Sequence, residues 1–178
     1  ETEILGQVRR AYDAGRAAGT TTPEMDLIFS AALSAGRRVR SETMLGRHPA
    51  SVSSAAVELA AAQWRSGFNG RPVVVLGAGE AAEGVLRSLH QHGATRVSLV
   101  NRNPERAGPV AAAWGASSRG WDEMPALMAE AELLIVATAA ARPVVSAAQL
   151  SVAMATRPAR RLVAIDLSVP RNVEPAAR

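Results

Sequence analysis

The chain has no cysteine and no lysine, and it contains few aromatic residues. Without cysteine, this sequence can form no disulfide, no thiolate metal site and no thiol nucleophile. Aromatic residues make up only 3 % of the chain, so its hydrophobic core must be built from Ala, Val and Leu. No apolar run approaches the roughly 18 residues of a membrane span, and no secretory signal peptide is visible. We therefore expect a soluble, cytoplasmic protein.

The basic residues are all arginine: 20 of them stand against 16 acidic residues, for a net charge of +4. The isoelectric point is near 11.1 because no lysine titrates before the guanidinium groups. This mild excess of positive charge suits an anionic ligand such as a dinucleotide or RNA. The arginine clusters fit either solvated faces or an RNA-binding surface. The three histidines lack metal-ligand spacing, so no metal site is predicted.

The first part of the chain has helical periodicity, with apolar residues recurring on one face. The pattern predicts a loop at 46–49 and a turn-rich joint at 66–70. The three helices predicted here cover residues 1–19, about 23–40 and about 51–64.

From residue 71 the pattern changes to alternating strands and helices. Strands are predicted at about 72–77, 95–100, 132–138 and 161–167, with a short one near 116–118. Helices are predicted at about 80–92, 104–114, 122–131 and 146–155. This α/β alternation predicts a Rossmann-type, doubly wound parallel sheet, preceded by a helical segment from a second domain. Ligands of such sheets bind beyond the C-terminal ends of the strands.

A glycine-rich turn lies between the first of these strands and its helix. The apolar strand 72–77 ends in Gly-Ala-Gly, and an alanine-rich helix follows. That order is typical of a dinucleotide-binding fingerprint, in which the helix N-terminus faces the pyrophosphate. The alternative is a tight turn that uses glycine for steric reasons only. The predicted cofactor-binding residues of this turn are Gly77, Ala78, Gly79, Glu80, Ala81 and Ala82.

The end of the second predicted strand carries no acidic residue. An acid there would accept a hydrogen bond from the ribose 2′-hydroxyl of NAD. The chain has Asn101 and Arg102 instead, with Arg106 one helical turn later. A guanidinium can pair with a 2′-phosphate, so these residues predict NADPH as the cofactor. In the alternative interpretation, Arg102 caps a turn in solvent.

Two further polar residues follow strands. Thr138 follows the apolar strand segment 133–137, and Asp166 ends the strand segment 162–165. Both are predicted to reach the cofactor crevice. For Thr138 the alternative is a role in the turn, and for Asp166 it is a structural hydrogen bond to loop backbone.

Several segments resemble glutamyl-tRNA reductase. Residues 1–9 resemble that family's Gly-Glu-x-Gln-Ile-Leu-Gly-Gln-Val-Lys signature from its second residue onward, and residues 36–43 resemble its Gly-Lys-Arg-Val-Arg-x-Glu-Thr stretch. Residues 52–59 resemble Val-Ser-x-Ala-Ala-Val-Glu-Leu of its linker helix. The cofactor turn, the pair Asn101-Arg102 and the closing segment Asp166–Pro175 match in the same order. The resemblance covers essentially the whole chain.

This resemblance implies NADPH-dependent reduction of glutamyl-tRNA to glutamate-1-semialdehyde, the first step of tetrapyrrole (porphyrin) biosynthesis. It implies that Glu1, Thr2, Glu3 and Gln7 bind the glutamyl group. The family usually has Gln at the position of Glu3, and an unpaired carboxylate there would repel an anionic substrate. In the alternative interpretation the stretch is an amphipathic core helix.

The family's nucleophilic Cys and a nearby His lie upstream of the opening signature, and its dimerisation domain lies downstream of the closing segment. We therefore expect an inactive fragment of an enzyme that, when intact, acts on glutamyl-tRNA, forms a homodimer and contacts the next enzyme of the pathway. Its expected parts are the end of a catalytic domain (1–50), a linker helix and joint (51–70), an NADP-binding domain (71–169) and a tail (170–178). Two alternatives are a non-catalytic dinucleotide-binding module and a shikimate-dehydrogenase-like NADP oxidoreductase.

Overall fold

The computed structural model describes residues 2–43, 51–157 and 161–177. The loop predicted at 46–49 lies outside these ranges. The chain divides into two compact units, Glu1–Ala50 and Ser51–Arg178. None of the helices within the described ranges is both long and apolar enough to cross a membrane.

The first unit is a pair of helices, α1 (Thr2–Ala17) and α2 (Pro23–Glu42). Tyr12 links the two helices. Its ring stacks on Phe29 with 5.0 Å between centroids, and its hydroxyl donates to the Asp26 carboxylate at 2.9 Å. A buried aromatic with a satisfied hydroxyl contributes both apolar area and a directional contact, so Tyr12 sets the register of the two helices.

The second unit is built on one five-stranded parallel sheet with the order β3-β2-β1-β4-β5. Four of the strands are one to three residues shorter than the sequence pattern predicts, and the short strand predicted near 116–118 lies one residue later, at 117–119. The predicted doubly wound α/β fold is confirmed. The strands are β1 (Pro72–Leu76), β2 (Arg96–Val100), β3 (Ser117–Arg119), β4 (Leu133–Val136) and β5 (Val163–Asp166).

Helices cover both faces of this sheet. Side chains of α3, α4 and α5 form one buried cluster with it, and side chains of α6 and α7 form the other. The helix predicted over 122–131 begins instead as a 3-10 turn, Trp121–Glu123, and becomes α-helical at Met124. The helices are α3 (Val52–Ala61), α4 (Glu80–Gln91), α5 (Pro104–Ala113), α6 (Met124–Glu130) and α7 (Ala147–Ala155).

The predicted linker helix α3 packs within the second unit, against α4. The Ser53 hydroxyl donates to the Ala81 carbonyl at 3.0 Å. A Cβ placed on Gly84 would lie 3.0 Å from that same hydroxyl oxygen. The two helices approach this closely because the contact is made by a serine and a glycine. As a result, α3 supports the first turn of α4, where the glycine-rich segment ends.

The turn between α3 and β1 is held by one arginine. The Arg71 Nε donates to the Gly67 carbonyl at 2.9 Å, and its guanidinium pairs with the Glu132 carboxylate. The same guanidinium lies over the Trp64 ring, 5.0 Å from the centroid. These contacts join the predicted joint to the start of the sheet.

Another arginine is almost completely buried. Arg157 is 2 % exposed, and its Nη1 donates to the carbonyls of Met128 and Ala131. Its Nη2 donates to the Arg161 carbonyl at 2.8 Å. The last carbonyls of a helix have no partner within the helix, so Arg157 satisfies those at the end of α6.

Candidate functional site

A cavity of about 380 Å³ opens at the C-terminal edge of the sheet. It lies where the strand order reverses, since the chain moves outward from β1 to β2 on one side and continues with β4 on the other. Open parallel sheets bind their ligands at such a point. The cavity is lined by residues 77–81, 137–139 and 167–169, together with Asn101 and Arg106.

Gly77 leaves β1 with a backbone conformation that L side chains rarely adopt, at φ +107°. A Cβ at this position would lie 2.9 Å from the carbonyl carbon of Ala137 and closer still to its oxygen. The Gly77 N–H donates to the Val100 carbonyl at 2.9 Å. Only glycine therefore fits between the ends of three neighbouring strands.

Gly79 is glycine for a different reason. Its φ is −96°, which any residue can adopt, and a Cβ there would meet no protein atom within 4 Å. It is the N-cap of α4 but, having no side chain, satisfies none of the free N–H groups. Open space in front of uncapped N–H groups fits the pyrophosphate of a dinucleotide, because the partial positive charge of the helix end also faces it.

The other residues of the glycine-rich turn have distinct roles. Ala78 and Ala81 line the cavity, and so does Glu80, which is solvent-exposed. Ala82 is fully buried in the core cluster under α4 and does not line the cavity. Its small side chain lets the helix pack closely on the sheet, as the sequence pattern predicts.

The segment after β2 brings two of its three predicted residues to the cavity. Asn101 and Arg106 line it. The Asn103 side chain accepts a hydrogen bond from the Arg106 N–H at 3.2 Å and so caps α5. Arg102 does not line the cavity, because its guanidinium lies over the ring of Trp121, 5.0 Å from the centroid.

Thr138 joins two walls of the cavity. Its N–H donates to the Ser168 hydroxyl at 3.2 Å, and its own hydroxyl donates to the side-chain oxygen of Asn172. Thr138 and Ser168 both line the cavity. The loops after β4 and β5 therefore form a single hydrogen-bonded wall.

Asp166 lies beneath this wall and does not line the cavity. Its carboxylate accepts three backbone hydrogen bonds, from Ser168 at 3.0 Å, Asn172 at 2.7 Å and Val173 at 2.9 Å. Asp166 therefore makes structural hydrogen bonds to loop backbone. It shapes the loop that follows β5.

Asn172 has a structural role that no local sequence pattern predicts. It is fully buried, and its amide donates to the carbonyls of Ala140 at 2.9 Å and Pro170 at 3.2 Å. Its backbone carbonyl accepts from the N–H groups of Val144 and Val145. The only sequence signal was its place in the closing segment Asp166–Pro175, which matched the family without revealing a role.

The predicted substrate residues belong to the first unit. Glu1 lies outside the described residues, Thr2 and Glu3 begin α1, and Gln7 is exposed between one and two turns along that helix. Their binding of a glutamyl group stays a prediction. Across the described part of the chain, no three His, Asp or Glu side chains are grouped so that they could hold a metal ion.

Two family models match the chain. Residues 58–178 match the model described as shikimate / quinate 5-dehydrogenase, and residues 1–43 match that of the N-terminal domain of glutamyl-tRNA reductase. The first match covers more than half of the chain and includes every residue that lines the cavity.

Individual relatives match along almost the entire chain. Glutamyl-tRNA reductase from Desulforudis audaxviator is 39 % identical over 99 % of this chain, which corresponds to 39 % of that protein. The structure of glutamyl-tRNA reductase from Methanopyrus kandleri is 35 % identical with a TM-score of 0.67, covering 99 % of this chain and 44 % of that one. The nucleotide-binding domain of the Thermoplasma volcanium enzyme shares the fold at 20 % identity and a TM-score of 0.54, covering 70 % of this chain and 80 % of that one.

The chain spans about 40 % of the length of the curated relatives it matches. The matched part includes the paired helices, the α3 segment and the parallel sheet. The chain therefore belongs to the shikimate / quinate 5-dehydrogenase family and, along its whole length, is a homologue of the glutamyl-tRNA reductases.

Proposed function

We propose that this chain is part of an NADPH-dependent glutamyl-tRNA reductase, which converts glutamyl-tRNA to glutamate-1-semialdehyde. Its second unit would hold the hydride donor. The observation that carries the proposal is the open space in front of Gly79 and of the uncapped N–H groups at the start of α4. This space lies at the edge of a cavity of about 380 Å³. The match to reductases over 99 % of this chain supports the choice of reaction.

The cavity offers a distinct contact for each part of the dinucleotide. The N–H groups at the start of α4 would bind the pyrophosphate. Arg106 and Arg102 would bind the 2′-phosphate, because a planar guanidinium forms paired hydrogen bonds with phosphate oxygens. Thr138 and the exposed apolar side chain of Val169 would border the nicotinamide, which supplies a hydride when bound.

The substrate side of the proposal rests on the first unit. Thr2, Gln7 and the N-terminal Glu1 would bind the glutamyl group. Glu3 would need a cationic partner beside an anionic substrate, because two unpaired carboxylates repel each other. For the intact protein we propose glutamyl-tRNA as substrate, a homodimer, contact with the next enzyme of the pathway and a cytoplasmic location.

We expect this chain to bind NADPH more tightly than NADH. Replacing Arg102 with Ala should weaken NADPH binding by about 1.5–3 kcal/mol, the range for hydrogen bonds to charged groups, and leave NADH nearly unaffected. Arg106→Ala should act in the same direction. Isothermal titration calorimetry of the unmodified chain and both variants measures these differences.

Arg87→Ala is the matched control, because Arg87 lies over the ring of Trp114 much as Arg102 lies over Trp121, but it belongs to α4 and not to the segment after β2. Its NADPH affinity should equal that of the unmodified chain. Equal affinity of the unmodified chain for NADPH and NADH would contradict the proposed specificity.

We expect no glutamyl-tRNA reduction by these 178 residues alone, since they contain no cysteine to form a thioester. The test incubates the chain with glutamyl-tRNA and NADPH and measures glutamate-1-semialdehyde, with an intact reductase as positive control. Turnover comparable to that control would show that the chemistry needs no cysteine. NADPH binding without turnover would agree with the prediction.

A further inference from the structure

The arginine proposed to select NADPH is held by an aromatic ring from the 3-10 turn that follows the next strand, β3. Val100 of β2 pairs with Arg119 of β3, so the residues that follow the two strands emerge side by side at the same edge of the sheet. Arg102 is the second residue after β2, and Trp121 is the second residue after β3. The guanidinium carbon of Arg102 lies 5.0 Å from the centroid of the Trp121 ring.

This contact leaves the hydrogen-bond donors of Arg102 uncommitted. The carboxylate of Glu123, two residues after Trp121, is bound by Arg119 at 3.3 Å and by the Gly120 N–H at 2.9 Å. Within the described ranges, Arg102 forms no ion pair and donates no hydrogen bond. An aromatic face attracts the guanidinium without using its N–H groups, so those groups stay available for an anion.

We propose that Trp121 is a positioning residue for cofactor selection: it holds the guanidinium of Arg102, the residue after the cavity-lining Asn101, so that the guanidinium meets the 2′-phosphate of NADPH. This inference rests on the proposed NADPH specificity and names a residue outside the glycine-rich turn and outside the cavity lining. A free arginine side chain loses rotamer freedom when it binds phosphate. Contact with Trp121 lowers that loss because the side chain is already partly ordered.

The contribution of Trp121 should be visible as selectivity. A cation–π contact at an exposed site corresponds to about a 2- to 5-fold change in affinity. We therefore expect Trp121→Ala to weaken NADPH binding by about 2- to 5-fold and to leave NADH binding within the error of the measurement. Trp121→Phe keeps an aromatic face and should recover most of the NADPH affinity.

The experiment uses the whole chain and measures dissociation constants for NADPH, NADH and the fragment adenosine 2′,5′-bisphosphate. Thermal unfolding of each variant checks that it is folded. Trp121→Ala is also made in the Arg102→Ala background, where it should have no further effect. In addition, the fragment should quench tryptophan fluorescence in the unmodified chain. That change should be lost in Trp121→Phe and kept in the control Trp64→Phe, whose ring lies over the distant Arg71.

The possible outcomes separate this inference from the proposed function. Selective NADPH binding that Trp121→Ala leaves unchanged overturns the role of Trp121 alone. Equal weakening of NADPH and NADH also overturns it, since a ring that contacts adenine or merely supports the fold would act on both. A further loss of NADPH affinity when Trp121→Ala is added to Arg102→Ala also overturns the role of Trp121. An unmodified chain that binds both cofactors equally, or neither, overturns the proposed specificity and this inference with it.

Discussion

Replacing Gly77 with alanine should destabilise the second unit by about 3–5 kcal/mol and abolish NADPH binding. Two costs combine at this position. An L residue held at φ +107° is strained by about 1–3 kcal/mol, and the new methyl group would collide with the Ala137 carbonyl, 2.9 Å from its carbon. Overpacking a tight interior contact adds about 1–3 kcal/mol. Urea unfolding followed by circular dichroism, together with calorimetric titration of NADPH, measures both effects.

Gly79→Ala is the matched control because it makes the same chemical change two residues later. Its φ of −96° suits alanine, and the new methyl group would meet no protein atom within 4 Å. We expect a change in unfolding free energy of less than about 1 kcal/mol, the usual size of a change that breaks no packing. NADPH binding should still weaken, since the methyl group would occupy the space in front of α4. If Gly79→Ala left NADPH affinity intact, the pyrophosphate would have to bind elsewhere.

Asp166→Asn should also lower stability strongly, by about 2–4 kcal/mol, and weaken NADPH binding through the cavity wall. One carboxylate oxygen accepts from the Ser168 N–H, and the other accepts from the N–H groups of Asn172 and Val173. An amide can place its oxygen at only one of these two positions, and its NH₂ group would then face N–H donors. Each hydrogen bond to a charged group is worth about 1.5–3 kcal/mol, and the losses are not additive. Urea unfolding measures the change in free energy.

Asp122→Asn serves as the comparison, because this solvent-exposed acid lies in the same unit. Neutralising it should change the unfolding free energy by no more than about 0.5 kcal/mol, as is usual for surface substitutions. A change at Asp166 as small as that at Asp122 would show that the loop after β5 does not depend on the carboxylate. Loss of NADPH affinity without loss of stability would instead point to direct contact between Asp166 and the cofactor.

The local features of the fold could be predicted from the sequence because they depend on residues that are close together in the chain. The apolar run Val73–Leu76 followed by Gly-Ala-Gly predicts a strand, a tight turn and a helix start, and the structure has all three. The position of the polar residues directly after the second strand predicts that they lie at the ligand-binding edge of the sheet. Asn101 and Arg106 do line the cavity there. The exact ends of strands were less predictable, since they depend on where the neighbouring strand stops pairing.

The sequence by itself determined the alternation of strands and helices, the glycine-rich turn and the absence of an acid after β2, because backbone preference and side-chain period act over a few residues. Only the tertiary structure decided which distant groups meet. Asn172 contacts Thr138 across 34 residues of sequence, and Trp121 lies beside Arg102 only because β3 pairs with β2. Asp166 points to the backbone of its own loop because three N–H groups there need an acceptor. Such partners are selected by strand order and loop packing, which no local pattern encodes.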